Sequence, residues 1–382
     1  MNSAKLKNII INFLYIPIII IFFSQFFHFE NVEFHNSLTK ELNANKITRE
    51  QKEIEEKERQ RTEELRKLEE EMYRFVQPTY KHPRLDTTKF NYDGECREPF
   101  KYKRNNKRDL VFHSYFFEEQ NAWNKKKSDM KITFEINKSG IPNATKVFMV
   151  YGDWENEEFK EVLKDAGYEI IKSDVELKKG EYLNVAVYRY FDFEKYLLKH
   201  KDEFDRVVIS DVMDVYWFAD GFQTIGDDEL IVIPECDDFD KDNNKWCRVI
   251  GDSLSGYNGY WVKDCFGDDV LNQLEKDKAI VINSGFVAGS TEKVLKFLRI
   301  FNKFMMKKID KLNTWGLDQS AMTVAHYFGL FNELNITLEK NTQRMGNDMR
   351  GRYKYDKDEK VLYMLSKKCS PIIRHKIEDI DG

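Results

Sequence analysis

The 382-residue sequence predicts an α/β domain with a mostly parallel central sheet, preceded by a transmembrane helix and a charged helical stem. Three features predict this. Beyond Lys107, short β-branched or aromatic runs alternate with amphipathic stretches. The first 30 residues are dominated by one apolar run, and the stretch after it is almost wholly charged. Strand–helix alternation is the signature of strands whose connections cover both faces of a sheet.

Residues 1–8 carry Lys5 and Lys7 and read as a cytosolic tail. Residues 9–29, which contain "IIINFLYIPIIIIFFSQFF", supply about 20 mostly apolar positions, enough at about 1.5 Å per residue to cross a bilayer. Lysines before the run and Glu30 and Glu33 after it place the tail in the cytosol and the bulk of the chain in a lumen or outside the cell. A cleaved signal peptide is the alternative. The run is long for one, and no small-x-small cleavage site comes after it. A lumenal location agrees with the sequons at Asn137, Asn143 and Asn335. It also agrees with the cysteines, Cys96, Cys236, Cys247, Cys265 and Cys369, which lack CxxC spacing. One or two disulfides with a thiol left over are expected, their connectivity open.

Residues 30–76 read as a helical stem. "TREQKEIEEKERQRTEELRKLEEEMYRF" has no proline or glycine and repeats opposite charges at i,i+4. Ile47, Ile54, Leu68 and Phe75 keep a seven-residue beat, interrupted by Arg61, and Leu65 and Met72 join a companion seam. That is half a coiled-coil seam, so a solvated spacer and a homodimer through the stem are both open. Prolines and mixed polarity in 77–106 mark a linker.

The domain spans 107–382. Its candidate strands are "DLVFHSYF", "KVFMVYG", "YEIIKS", "NVAVYRY", "RVVISD", "LIVIPE" and "AIVINSGFVAG". Candidate helices are "NEEFKEVLKDAG", "FEKYLLKHKDEF", "GDDVLNQLEKD" and "EKVLKFLRIFNKFMMKKI", the last capped by Ser290 or Thr291. Such a sheet is Rossmann-like, and ligands bind at the carboxyl ends of its strands. The net charge is only −5 with signs interspersed, and no basic stripe points to a nucleic-acid partner. No GxSxG, GxxxxGK[ST] or HExxH occurs. The acidic run from Glu235 to Trp246 lacks EF-hand spacing and reads as a solvated loop.

One strand end stands out. Val207-Val208-Ile209 runs into Ser210-Asp211-Val212-Met213-Asp214. Two carboxylates about 4 Å apart repel by about 4 kcal/mol at an effective dielectric near 20, so keeping both ionised calls for a cation. Hard oxygen ligands suit Mn²⁺ or Mg²⁺. The bland alternative has Asp211 capping a turn and Asp214 facing solvent.

"FDRVVISDVMDVYWFADGF" resembles the metal-binding segment of GT-A-fold nucleotide-sugar glycosyltransferases, in which an apolar strand runs into a DxD-type motif, then an aromatic segment and a PF-like turn. It departs from that pattern in its DxxD spacing and in Gly221, where proline is common. "AIVINSGFVAGSTEKVLKFL" is similar to those families' N-S/T-G strand, and "NTWGLDQSAMTVAHYF" to their DQ segment. The order and the gaps of about 70 and 35 residues match too.

The resemblance implies a type II Golgi or ER membrane enzyme with its catalytic domain in the lumen. It would move a sugar from a nucleotide diphosphate sugar, UDP- or GDP-linked, to a glycan or glycoprotein acceptor. It implies Asp211, Asp214 and His375 as ligands of Mn²⁺ or Mg²⁺, Asp211 facing the donor ribose or a metal-bound water. Asn283, Ser284 and Gly285 would line the donor site, with His113, Ser114 and Arg189 as further donor contacts. Asp318 and Gln319 would serve catalysis, either opposite the acceptor in a retaining enzyme or with Asp318 as base in an inverting one. Read alone, His113 is equally a core residue, Arg189 an internal ion-pair partner, Asp318 a helix cap and His375 ordinary surface. A non-catalytic GT-A-like glycan-binding or scaffold domain is the alternative function, and a membrane tether built on the stem is a third.

Overall fold

The structure, a computed structural model, describes residues 36–117, 122–152, 154–175, 183–236, 247–252, 256–340, 342–347, 353–364 and 368–375. The expected tail and membrane span, residues 1–29, lie outside them. Among the described residues no helix is long and apolar enough to cross a membrane. The chain divides into two compact units, Met1–Glu70 and Glu71–Gly382.

The stem forms as a helix, α1 (Asn36–Tyr73). Its surface carries i,i+3 ion pairs such as Arg59–Glu56 and Arg66–Glu63, both at 2.7 Å. Each adds only about 0.3–0.5 kcal/mol at such exposure. Ile54, Leu65, Leu68 and Met72 stay exposed. Phe75 does not continue the seam. It packs against Tyr92 and Phe100, with ring centroids 5.6 and 4.7 Å away.

The main strands of the second unit are β1 (Asp109–Phe117), β2 (Thr145–Gly152), β3 (Tyr168–Lys172), β4 (Arg206–Ser210), β5 (Val215–Trp217), β6 (Leu230–Pro234), β7 (Ile282–Ser290) and β8 (Thr337–Leu338). All of these except β5 join one seven-stranded sheet of order β3-β2-β1-β4-β7-β6-β8. Every strand in it but β7 runs the same way, because β7 pairs antiparallel with both β4 and β6. The expected Rossmann-like, mostly parallel sheet is therefore present.

Helices cover both faces. They are α2 (Ala122–Gly140), α3 (Glu157–Asp165), α4 (Val185–His200), α5 (Asn258–Phe266), α6 (Asp268–Lys276), α7 (Thr291–Met306) and α8 (Leu317–Tyr327). Alternation along the strands separates the cores. Leu110, Phe112, Val207 and Ile209 pack with Tyr190 and Phe193 of α4 and Phe297 and Phe301 of α7. Val111 and Val208 pack on the other side with Trp217, Phe218 and Phe222.

The structure corrects two expectations. "NVAVYRY" is not a strand but the start of α4, whose buried Val187, Tyr190, Phe193 and Leu197 recur at helical spacing. Residues 77–106 are not a free linker. Leu85, Phe90, Tyr92 and Cys96 are buried in the core, and Cys96 is disulfide-bonded to Cys369. Cys236 bonds Cys247, and Cys265 is the buried free thiol.

Toward the C-terminus lie β9 (Met345–Asn347), β10 (Tyr353–Asp356), β11 (Val361–Met364) and β12 (Ile373–His375). β10 and β11 pair antiparallel with each other. β12 belongs to a small second sheet, antiparallel to β5 and parallel to β9, which brings the C-terminal histidine back to the central sheet's edge. Gly221, where proline was the commoner residue, lies under this sheet. A Cβ there would stand 2.3 Å from Ile373 Cδ1 and 2.8 Å from the Trp217 ring, so no side chain fits.

Candidate metal centre and its surroundings

β4 is buried along its whole length and ends at Ser210, which puts Asp211 at the sheet's carboxyl edge. The chain then bends through 212–214. Val212 turns back into the core beside Trp123, Phe148 and Phe159, and Met213 packs against the same cluster. The two intervening residues of the DxxD motif thus fold inward, and Asp214 swings round beside Asp211. From Asp214 the chain enters β5, where the register Val215↔His375 fixes the third member.

Ligand atoms of Asp211, Asp214 and His375 all lie within 4.8 Å of one another. His375 Nε2 is 3.3 Å from Asp214 Oδ2 and 3.7 Å from Asp211 Oδ2. The imidazole is 1% exposed, and neither ring nitrogen has a hydrogen-bond partner. Leaving a buried polar group unsatisfied costs about 1–3 kcal/mol, and a cation between imidazole and carboxylates would remove that cost. The residues present therefore fit a divalent ion.

Asp211 divides its carboxylate. Oδ1 accepts from Arg189 Nη1, and Oδ2 faces His375. Gly285 makes room for it, since a Cβ there would stand 2.5 Å from Asp211 Oδ2 and 2.8 Å from Asn283 Oδ1. The backbone helps as well. β7 shifts register against β6 between Val232 and Ile233, pairing them with Val287 and Asn283. Ser284, Gly285 and Phe286 bulge between those pairings, and the Gly285 carbonyl accepts from Asp211 N at 2.9 Å.

Arg189, on α4, ties the rest together. Nη2 donates to Ser284 O at 3.1 Å and stands 3.9 Å from Asp318 Oδ2. Burial opposes its charge, but the neighbouring Asp211 and Asp318 raise its pKa above the ordinary value. Ser284 Oγ donates to Asp318 Oδ2 at 2.6 Å, and Tyr190 Oη donates to Ser284 O at 2.5 Å. Asp318 lies in the first turn of α8, whose cap is Gly316 rather than Asp318 itself. Burial pushes its carboxyl above the usual carboxylate range, against the pull of Arg189.

Beyond Asp318 a second network continues. Asn283 Oδ1 accepts from Gly285 N at 2.6 Å. Asn283 Nδ2 donates to Glu235 Oε1 at 3.2 Å, and Gln319 Nε2 donates to Glu235 Oε1 at 2.9 Å and to Asn258 Oδ1 at 2.6 Å. Arg248 Nη1 pairs with Glu235 Oε2 at 3.2 Å.

The structure thus gathers Arg189, Asp211, Asp214, Asn283, Ser284, Gly285, Asp318, Gln319 and His375 into one connected site. It corrects the expectation for His113, which is fully buried. Its Nδ1 is 3.1 Å from Ser210 O, and its Nε2 is 3.4 Å from Asn137 Nδ2. Burial holds its pKa down at about 4, so it is a neutral core residue that braces β4 rather than a donor contact. Ser114, next in β1, is 8% exposed. Asn137 is buried and bonded to Tyr168 Oη at 3.2 Å, which removes it as a glycan acceptor in the folded protein.

Sequence reading missed Tyr190, Arg248, Asn258 and Glu235. Glu235 was placed at the head of a solvated loop, yet it is 3% exposed and central to the second network. The rest of that acidic run, 237–246, lies outside the described residues. A signal for Glu235 existed, since it ends the apolar run "LIVIPE" as Asp211 ends "RVVISD". No family model matches the chain, and no curated protein is significantly similar to it.

Proposed function

We propose that the chain is a metal-dependent glycosyltransferase of the GT-A type. On this reading it is a type II membrane protein of the Golgi or ER, anchored by residues 9–29, with the stem and the catalytic domain, residues 30–382, in the lumen. It moves a sugar from a UDP- or GDP-sugar to a glycan or glycoprotein acceptor. The observation that carries the reading is the convergence of Asp211, Asp214 and a hydrogen-bond-free His375 at the sheet's carboxyl edge. That is the edge at which open α/β sheets bind nucleotides.

On this reading Asp214, Asp211 Oδ2 and His375 hold the ion, and the imidazole donor favours Mn²⁺ over the all-oxygen preference of Mg²⁺. A divalent ion there would supply positive charge to a departing diphosphate. The protein's own groups do the positioning. Arg189 fixes Asp211 from behind and keeps positive charge between it and Asp318. Gly285, in the bulge that follows Asn283, lets the donor approach the backbone closely. Asp318 and Gln319 present oxygens and an amide to sugar hydroxyls, and burial, against the pull of Arg189, raises the carboxyl of Asp318 in the direction a proton-transfer group needs.

The test is a panel of UDP- and GDP-sugars offered to the purified full-length chain with and without Mn²⁺, reading melting temperature and nucleotide release. A true donor at about a hundredfold excess over its Kd stabilises by about 2.7 kcal/mol, and only with Mn²⁺ present. If no sugar nucleotide shifts the melt or is hydrolysed, the reading is wrong.

A further inference from the structure

A cleft of about 880 Å³ opens between residues 79–84 and α2, and none of the residues joined around Asp211, Asp318 and Glu235 lines it. Its size falls within the roughly 300–1,000 Å³ typical of sites that hold small organic ligands.

The two walls are fixed to each other and to the rest of the domain. Ser139 Oγ, near the end of α2, accepts from Thr79 N at 2.7 Å and from Tyr80 N at 2.9 Å. Thr87 N donates to Tyr80 O at 3.0 Å, and Tyr355 Oη donates to Arg84 O. Within the segment, His82 N donates to Leu85 O at 2.6 Å and Leu85 N to His82 O at 3.1 Å. A cleft shaped before its ligand arrives loses less to ordering when it binds.

Its charge favours an anion. Lys81, Arg84, Lys131 and Lys138 line it, against the single lining carboxylate of Glu135. Part of that charge is matched nearby. Lys138 pairs with Asp165 at 2.8 Å. Glu158 lies 2.6 Å from Lys131 but also 3.3 Å from Lys127, so one acid serves two lysines. Asp86, across an antiparallel bridge from Lys81, gives its Oδ1 to Thr88 N and Oγ1. The surplus registers on His82, whose imidazole is held below its ordinary pKa by burial and then by Arg84 and Lys360.

Tyr80 and His82 add a flat surface. Their half-buried rings lie 6.0 Å apart between centroids, with planes only 6° apart. Burial and the charge of Glu135 raise the pKa of the Tyr80 hydroxyl, so it stays protonated and able to donate. A bare phosphate ion would leave most of the cleft unfilled and this surface uncovered.

We propose that the cleft is a second ligand site that takes a sugar phosphate, distinct from the donor and acceptor positions at the metal centre. Lys81 and Arg84 meet the phosphate dianion through charge-assisted hydrogen bonds. The Tyr80–His82 surface lies against the C–H face of the sugar ring, whose slight positive charge suits the negative face of an aromatic ring. The inference stands on the cleft alone and holds whether or not the chain is a transferase.

The experiment is isothermal titration calorimetry on the full-length protein in EDTA, which keeps divalent ions from the Asp211–Asp214–His375 cluster. The probes are glucose 1-phosphate, mannose 6-phosphate, glucose, mannose and inorganic phosphate. At least one sugar phosphate should bind at least tenfold tighter than the neutral sugars and inorganic phosphate. Lys81→Glu and Arg84→Glu change exposed side chains and should each weaken it at least tenfold with an unchanged melt. Lys303→Glu, on the exposed face of α7, controls for net charge and should leave the affinity within twofold, as should Asp214→Asn. The site is overturned if neither sugar phosphate binds at millimolar concentration, or if inorganic phosphate or a neutral sugar binds as tightly. Binding indifferent to both cleft substitutions, or lost equally in Lys303→Glu or Asp214→Asn, overturns it as well.

Discussion

Gly285 holds open the space in which Asp211 Oδ2 stands, for a Cβ on it would lie 2.5 Å from that oxygen. The same carboxylate is gripped on its other oxygen by Arg189. Asp211 therefore cannot step aside without breaking a buried ion pair. Gly285→Ala should cost about 1–3 kcal/mol of stability by overpacking. It should also weaken Mn²⁺ binding at least tenfold, about 1.4 kcal/mol. Chemical denaturation and a Mn²⁺ titration measure the two separately. Wild-type ion affinity in the variant would mean that Asp211 Oδ2 is not a ligand.

Arg189 is the only cation in contact with both Asp211 and Asp318 among the described residues. Arg189→Met keeps much of the volume but leaves Asp318 buried without its cation. Removing one partner of a buried pair costs about 3–5 kcal/mol, so urea unfolding should show a loss of that order. A change below about 1 kcal/mol would contradict the pairing described.

Asp220 gives a pH signature away from the metal centre. It is buried, accepts from Asn105 N at 2.7 Å, and has a carboxyl pushed up to about 6 by burial. A carboxyl whose folded pKa exceeds its unfolded value binds its proton more tightly when folded. Its contribution to stability is present below the unfolded value near 4 and is lost as pH rises through about 6. Relative to Asp220→Asn, the wild-type protein should lose up to about 3 kcal/mol between pH 4 and pH 7. A pH-independent difference between the two would refute the shift.

Glycan placement is a separate test of the lumenal orientation. Asn143 and Asn335 are exposed, whereas Asn137 is buried and hydrogen-bonded. In a secretory host, peptide mass spectrometry should find glycan at Asn143 or Asn335 and none at Asn137. Complete absence of glycan, or occupancy at Asn137, would contradict the orientation or the fold around α2.

Much of this was legible in the sequence because it is local. A buried strand must be apolar, so β4, β6 and β7 announced themselves, and the carboxylates at the end of β4 took their meaning from the position of ligands in open sheets. The helical identity of α4 was misread because "VAVYRY" is rich in β-branched and aromatic residues, which suit a strand. Only the longer spacing of Val187, Tyr190, Phe193 and Leu197 reveals the helix. The packing of 77–106 had no periodicity to give it away, for Phe90 and Tyr92 sit in irregular chain. His113 and Arg189 show the remaining limit. Each lies in an apolar run, and which one faces the site depends on what its neighbours in space are, not in sequence.

The measurement that bears most directly on the central claim is a Mn²⁺ titration of the full-length protein, read by electron paramagnetic resonance. Wild-type protein should bind one ion per chain, and Asp214→Asn and His375→Ala should each weaken it at least tenfold while the fold, read by circular dichroism, is retained. Binding that is absent at millimolar Mn²⁺, or that is indifferent to both substitutions, would contradict the metal centre and the transferase reading built on it.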